Sequence, residues 1–279
     1  MNVLKKTLIA ASASALFAVM GATAASAAPI TFTFNPSATT PTQLSTGGAF
    51  SANNMIVADY ATITLPATFG NPINETSYLV VTGFNAGVNP AGFVGGSGGG
   101  AGSANPGGTP YQLYFAVTSV SHATTPLGPN SFLGVFDSLN YTFFGDVGGN
   151  CTFSPSGPSC GADQQLALAT GTLSNQGLNQ ANILSGIPSA NADATITAGA
   201  NAGGFFVSPA NLLSVLFEAS FTNTPGVVTQ NGNVITINGG GGNVDMVTSA
   251  VPEPMTLSLF GAGLIGAGAL RRRLKAKKA

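Results

Sequence analysis

Met55-Ile56-Val57-Ala58-Asp59-Tyr60-Ala61-Thr62-Ile63-Thr64-Leu65 is the stretch that decides the fold class. Its second half alternates with period 2, the spacing of a half-buried strand. Ile30-Thr31-Phe32-Thr33-Phe34 alternates in the same way. Ser77 to Phe84, Gln112 to Val120, Phe132 to Phe144, Leu166 to Thr172, Leu212 to Thr222 and Val227 to Ile237 repeat the theme. Val, Ile, Thr, Phe and Tyr dominate these runs, and Gly, Asn, Pro and Ser fill the gaps. Only Gln164 to Ala169 and Pro209 to Phe217 have a pattern that suits short helices. Many short strands with Gly-rich turns predict an all-β, antiparallel fold, sandwich or jelly-roll-like. No period of 20–50 residues is visible, which argues against a solenoid.

Composition agrees with a folded β protein. Apolar residues make up 44% of the chain, with 18 Phe, whereas disordered chains have low hydrophobicity and high charge. Charged residues are 6%, far below the usual ~25%. Their placement matters more than their number. All eight Lys and Arg lie at the two ends: Lys5, Lys6, Arg271, Arg272, Arg273, Lys275, Lys277 and Lys278. From Thr7 to Leu270 there is none, while Asp59, Glu75, Asp137, Asp146, Asp163, Asp193, Glu218 and Asp245 all lie in the middle. That stretch has no basic footprint for nucleic acid and no Arg or Lys with which to grip phosphate or carboxylate. Its repulsion favours solubility and leaves cation bridging open.

Both ends read as export signals. Lys5 and Lys6 precede a small-residue apolar stretch from Thr7, which ends at Ala25-Ser26-Ala27. This is the order of a secretory signal peptide, 1–27, with signal peptidase cutting between Ala27 and Ala28. The β-rich exported domain then spans 28–250, and the last segment spans 251–279. That segment opens with Pro252-Glu253-Pro254, which is extended because each proline fixes φ and removes a backbone donor. Met255 to Leu270 follows and measures about 24 Å as a helix, slightly short of a roughly 30 Å hydrocarbon core. Arg271 and Lys275 can snorkel to offset the deficit, and the basic tail prefers the cytoplasmic side. From the residues alone this is a transmembrane helix preceded by an extended recognition segment, or a plain tail anchor.

The ordered trio of Val251-Pro252-Glu253-Pro254, a Leu/Gly-rich span and the Arg271-Arg272-Arg273 cluster resembles the PEP-CTERM sorting signal of Gram-negative bacteria. The resemblance implies export through the inner membrane and processing near Pro252-Glu253-Pro254 by an exosortase. It also implies a final place at the cell surface or in the extracellular matrix of exopolysaccharide-producing bacteria. A looser likeness covers the body. Tyr111-Gln112-Leu113-Tyr114-Phe115, Phe205-Phe206-Val207 and Phe221-Thr222-Asn223-Thr224 resemble exported PEP-CTERM proteins associated with flocculation. This likeness implies a structural role in biofilm or floc aggregation, with exopolysaccharide or a second copy as partner.

Catalytic chemistry is scarce. His122 is the sole histidine and no G-x-S-x-G elbow accompanies it. Glu75 and Glu218 are a formal glycosidase pair, but the chain has no Trp with which to grip a sugar. Asp137, Asp146 and Asp163 are well separated and form no D-x-D-x-D-G loop. No enzyme activity, cofactor or metal is therefore expected. The alternative to a matrix role is a carbohydrate- or calcium-dependent binding module that uses Tyr60, Tyr111, Tyr114 or Tyr141 with nearby Asp. Cys151 and Cys160, the only cysteines, are an even pair in an exported chain and predict a disulfide. Val94 to Gly108 and Gly239 to Gly242 read as flexible surface loops. Strand edges without lysines leave self-association open.

Overall fold

The computed structural model describes residues 29–85, 90–95, 104–175 and 179–248. The two terminal segments, 1–28 and 249–279, and the middle of the Gly-rich stretch at 96–103, lie outside them. The strands are β1 (Phe32–Phe34), β2 (Phe50–Ala52), β3 (Asn54–Thr64), β4 (Pro72–Phe84), β5 (Tyr111–Gly128), β6 (Ser131–Val147), β7 (Thr152–Ser154) and β8 (Gly157–Ser159). After them come β9 (Gln165–Thr172), β10 (Gln180–Leu184), β11 (Ile187–Thr195), β12 (Thr197–Ala198), β13 (Phe206–Ser208), β14 (Val215–Thr222), β15 (Val228–Asn231) and β16 (Val234–Thr248). All ladders between these strands are antiparallel.

The all-β, antiparallel expectation holds, but the main sheet does not form the two packed layers of a sandwich. It closes on itself. Its order runs β10-β11-β14-β16-β3-β4-β5-β6, and β6 pairs back onto β10. Two short strands share the closure. The first half of β6 pairs with β10 (Val135 opposite Gln180), and its second half pairs with β9 (Phe143 opposite Ala169). Strand β9 reaches across to β12, and Leu173 bridges to Ala194 at the end of β11. The length of β5 and β6, which makes this sharing work, comes from their alternation and from bulges that bend the hairpin without ending it. Closure pairs the ring strands with one another and leaves the short β12 and β15 as the edge strands of the main sheet.

Alternation then sorts side chains into inside and outside. Two apolar clusters fill the interior. One contains Phe115, Tyr141, Phe143, Phe217 and Met246, and includes Phe32 and Phe34 from the small β13-β1-β2 sheet. The other contains Ala61, Ile63, Ile73, Ile183, Ile235 and Ile237. A third cluster, with Tyr60, Val80, Tyr114 and Phe153, lies on the opposite face of β3, β4 and β5, beneath the β7–β8 hairpin.

Three local expectations are corrected. Gln164 to Ala169 is strand, because Leu166 and Leu168 alternate into the core with no exposed surface. Pro209 to Phe217 contains only a 3-10 turn, Leu212–Ser214, capped by Asn211, before β14 begins. Gly239 to Gly242 is not a flexible loop but the middle of β16, with Gly240 to Gly242 paired to Asp59, Ala58 and Val57. Those glycines serve close approach: a Cβ at Gly240 would strike Asn223 Oδ1, and one at Gly242 would strike the Phe221 ring.

Cys151 and Cys160 form the predicted disulfide. It clamps the β7–β8 hairpin, which lays Phe153 against Tyr60 and Tyr114, with ring centroids at 6.2 and 5.1 Å. The Gln112 side chain holds Cys151 from both sides, accepting from its N–H at 2.8 Å and donating to its carbonyl at 3.3 Å. Replacing both cysteines by serine is expected to cost about 3 kcal/mol of stability. Because the hairpin lies outside the closed sheet, amide exchange should rise in 151–160 and stay slow in β3 and β5. Uniform acceleration across the sheet would show instead that the clamp supports the whole barrel.

Candidate functional site

A cavity of about 90 Å3 lies inside the closed sheet between the two interior clusters. All eight strands of the ring line it. Most of the wall is apolar, with Ile63, Leu79, Phe115, Val117, Tyr141, Phe217 and Val244 among its residues. A polar stripe crosses β3, β4 and β5: Asp59, then Glu75 and Ser77, then Ser119 and Ser121. Asn223, just beyond β14, completes it.

The stripe is short of donors. Ser77 Oγ donates to Asp59 Oδ1 at 2.8 Å, and Ser119 Oγ donates to Glu75 Oε2 at 3.2 Å. Asn223 spends its Nδ2 on the Pro188 carbonyl at 3.1 Å and also hydrogen-bonds Asp59. Its Oδ1 has no hydrogen-bond partner among the described residues, although Asn223 is only 7% exposed. Burial pushes the Asp59 carboxyl up to about 6, against the opposing pull of the Ser77 and Asn223 bonds. Burial likewise raises Glu75 to about 7, and the nearby Asp59 charge adds to the shift. No Lys or Arg exists between Thr7 and Leu270 to neutralise either.

The structure separates the other residues singled out in the sequence. Glu75 faces the cavity, whereas Glu218 alternates with inward Phe217 and Ala219 and so faces outward; the two do not form a catalytic pair. Glu218 instead sits in one rung between Asp193 and Asp245; burial raises its carboxyl and that of Asp193, and the neighbouring charge, Asp245 for Glu218 and Glu218 for Asp193, adds to each shift. Asp137 hydrogen-bonds His122 Nδ1 at 2.8 and 2.9 Å on the outside. Asp146, nine positions further along β6, is buried beside the disulfide and far from Asp137, and it meets Asp163 across Asn150, which donates to both. The three aspartates therefore do not assemble a calcium site. Tyr60, Tyr111, Tyr114 and Tyr141 are all core residues, at most 6% exposed, and offer no surface platform for a sugar.

Ala25, Ala27, Ala28, Pro252, Glu253, Pro254, Arg271, Arg272 and Arg273 lie outside the described residues, so their evidence is sequence alone. There, the family model of the PEP-CTERM protein-sorting motif matches residues 250–273. The chain carries a PEP-CTERM sorting signal. This marks it as an exosortase-processed exported protein of a Gram-negative cell envelope. No curated protein and no solved structure matches the chain. The PEP-CTERM match stops short of the barrel, so the interior site has to be read from its own chemistry.

The Asp59–Glu75 stripe was the part sequence reasoning missed. A signal existed: Asp59 has the same strand parity as Ala61 and Ile63, which puts a carboxylate on the core face.

Proposed function

We propose that the exported domain is a non-enzymatic component of the cell surface or extracellular matrix that supports cell aggregation. The observation that carries this reading is the sorting motif at 250–273 behind a domain with eight acids and no Lys or Arg. Such a domain repels its copies weakly at short range in salt and binds matrix through divalent bridges or polar contacts rather than fixed cationic sites. The resemblance of the body to flocculation-associated proteins supports the same reading.

The test is a strain lacking the protein, complemented either by the wild-type chain or by a chain with Pro252, Glu253 and Pro254 all replaced by alanine. Wild type should restore aggregation and yield a mature mass ending near the motif, in envelope or matrix material. The triple variant is expected to keep Met255 to Ala279, remain in the inner membrane and leave the cells dispersed. Normal aggregation in the strain without the protein would refute the role. Normal trimming of the triple variant would refute the motif as the recognition element.

A further inference from the structure

The polar wall of the cavity is richer in acceptors than in donors. Asp59 and Glu75 bring four carboxylate oxygens, each able to accept twice, and the hydroxyls of Ser77, Ser119 and Ser121 with the Asn223 amide supply too few donors to satisfy them. Asn223 Oδ1 is a further buried acceptor at the same wall with no partner among the described residues. Tyr141, the other titratable side chain on the wall, spends its hydroxyl on the Thr195 carbonyl at 2.8 Å. Among the described residues no Lys or Arg reaches the cavity, since none lies between Thr7 and Leu270. A largely buried anionic stripe facing an apolar wall is incomplete without a guest that brings N–H donors, positive charge and a hydrocarbon body.

We propose that the barrel interior binds a short-chain primary ammonium ion, its head between Asp59 and Glu75 and its alkyl chain along Phe115, Val117 and Phe217. Size sets the chain length. A dry cavity of ~150 Å3 takes the six heavy atoms of a benzene, so the smaller space here suits a guest of about three heavy atoms, the size of ethylammonium. Small barrels with room for one ligand use their interiors in this way. A bare divalent cation fits less well, because it needs six or more oxygens and most of this wall is hydrocarbon. The inference stands apart from the aggregation role, which concerns the outside of the domain.

The test uses the exported protein isolated from cells that express the full chain. It is titrated at pH 8 with ethylammonium chloride, ethanol and calcium chloride at matched ionic strength, and followed by calorimetry and by amide shifts. The amine should bind and shift residues of β3, β4 and β5, whereas ethanol should bind more weakly by about tenfold or more. The Asp59→Asn/Glu75→Gln double variant should lose amine affinity by a similar factor, and Ala192→Leu, which fills the cavity, should lose both ligands. Melting curves of each variant establish that it is folded, and the two variants act independently should one of them fail. Amine and alcohol binding equally would overturn the role of the carboxylates. No amine binding, affinity unchanged in both variants, or calcium occupying the same residues in place of the amine would each overturn the proposal.

Discussion

Asp59→Asn is expected to stabilise the protein at pH 8 and to leave it nearly unchanged at pH 4.5. The Asp59 carboxyl titrates near 3.8 in an open chain and about 6 in the fold, and Glu75 moves from 4.5 to about 7. Between those limits the folded protein holds protons that the unfolded chain has released. Unfolding free energy therefore falls as pH rises. The stability is fully present below about pH 4 and is lost as pH passes through about 6 and then 7. Asp59, at 4% exposed, contributes on the order of 3 kcal/mol to that loss. Glu75 retains more exposure and contributes less. Asparagine keeps an oxygen to accept the Ser77 bond and removes the charge, so it should recover on the order of 2 kcal/mol at pH 8. Urea unfolding at pH 4.5, 6 and 8 measures both effects. Asp137→Asn, 45% exposed on the outside, is the control and should move stability by less than about 0.5 kcal/mol. A wild-type protein more stable at pH 8 than at pH 4.5 would mean the two carboxylates are compensated by something absent from the barrel wall.

The same carboxylate shows where reading the sequence works and where it stops. Period-2 alternation is local, so β3, β4, β5 and β6 were legible from residues a few places apart. Closure is not local. It depends on Phe132 to Val135 finding Gln180 to Ile183 while Asn140 to Asp146 finds Gln165 to Thr172, a division of one strand between two partners. No propensity of either segment encodes that choice. The glycines misled for a related reason. Gly240 and Gly242 look like loop residues until Asn223 and Phe221 are placed against them. The disulfide needed only a count of cysteines and an exported context. The sorting motif needed only three features in order. The tyrosines looked like candidate sugar contacts because sequence shows their chemistry but not their depth.

Phe217→Ala is expected to cost about 3–5 kcal/mol, the largest loss from any single substitution considered. Phe217 is 3% exposed, and its ring lies 5.4 Å from Phe115, 5.8 Å from Tyr141, 6.2 Å from Phe143 and 6.4 Å from Phe32. It joins the inward face of β14 to β5, β6 and the small sheet at once. It also lines the cavity, so removing the ring enlarges an existing void instead of leaving a pocket that neighbours can collapse into. Strands hydrogen-bonded on both sides have little freedom to move inward, as β14 is between β11 and β16. These features place the cost toward the upper end of the range. Phe69→Ala, at 53% exposed, is the matched comparison and should cost less than about 0.5 kcal/mol. Urea midpoints at pH 5, where the interior carboxylates are mostly protonated, isolate the packing effect from the electrostatic one. A loss below about 1 kcal/mol would mean that the barrel collapses around the missing ring, and with it that the interior is too plastic to hold a defined guest.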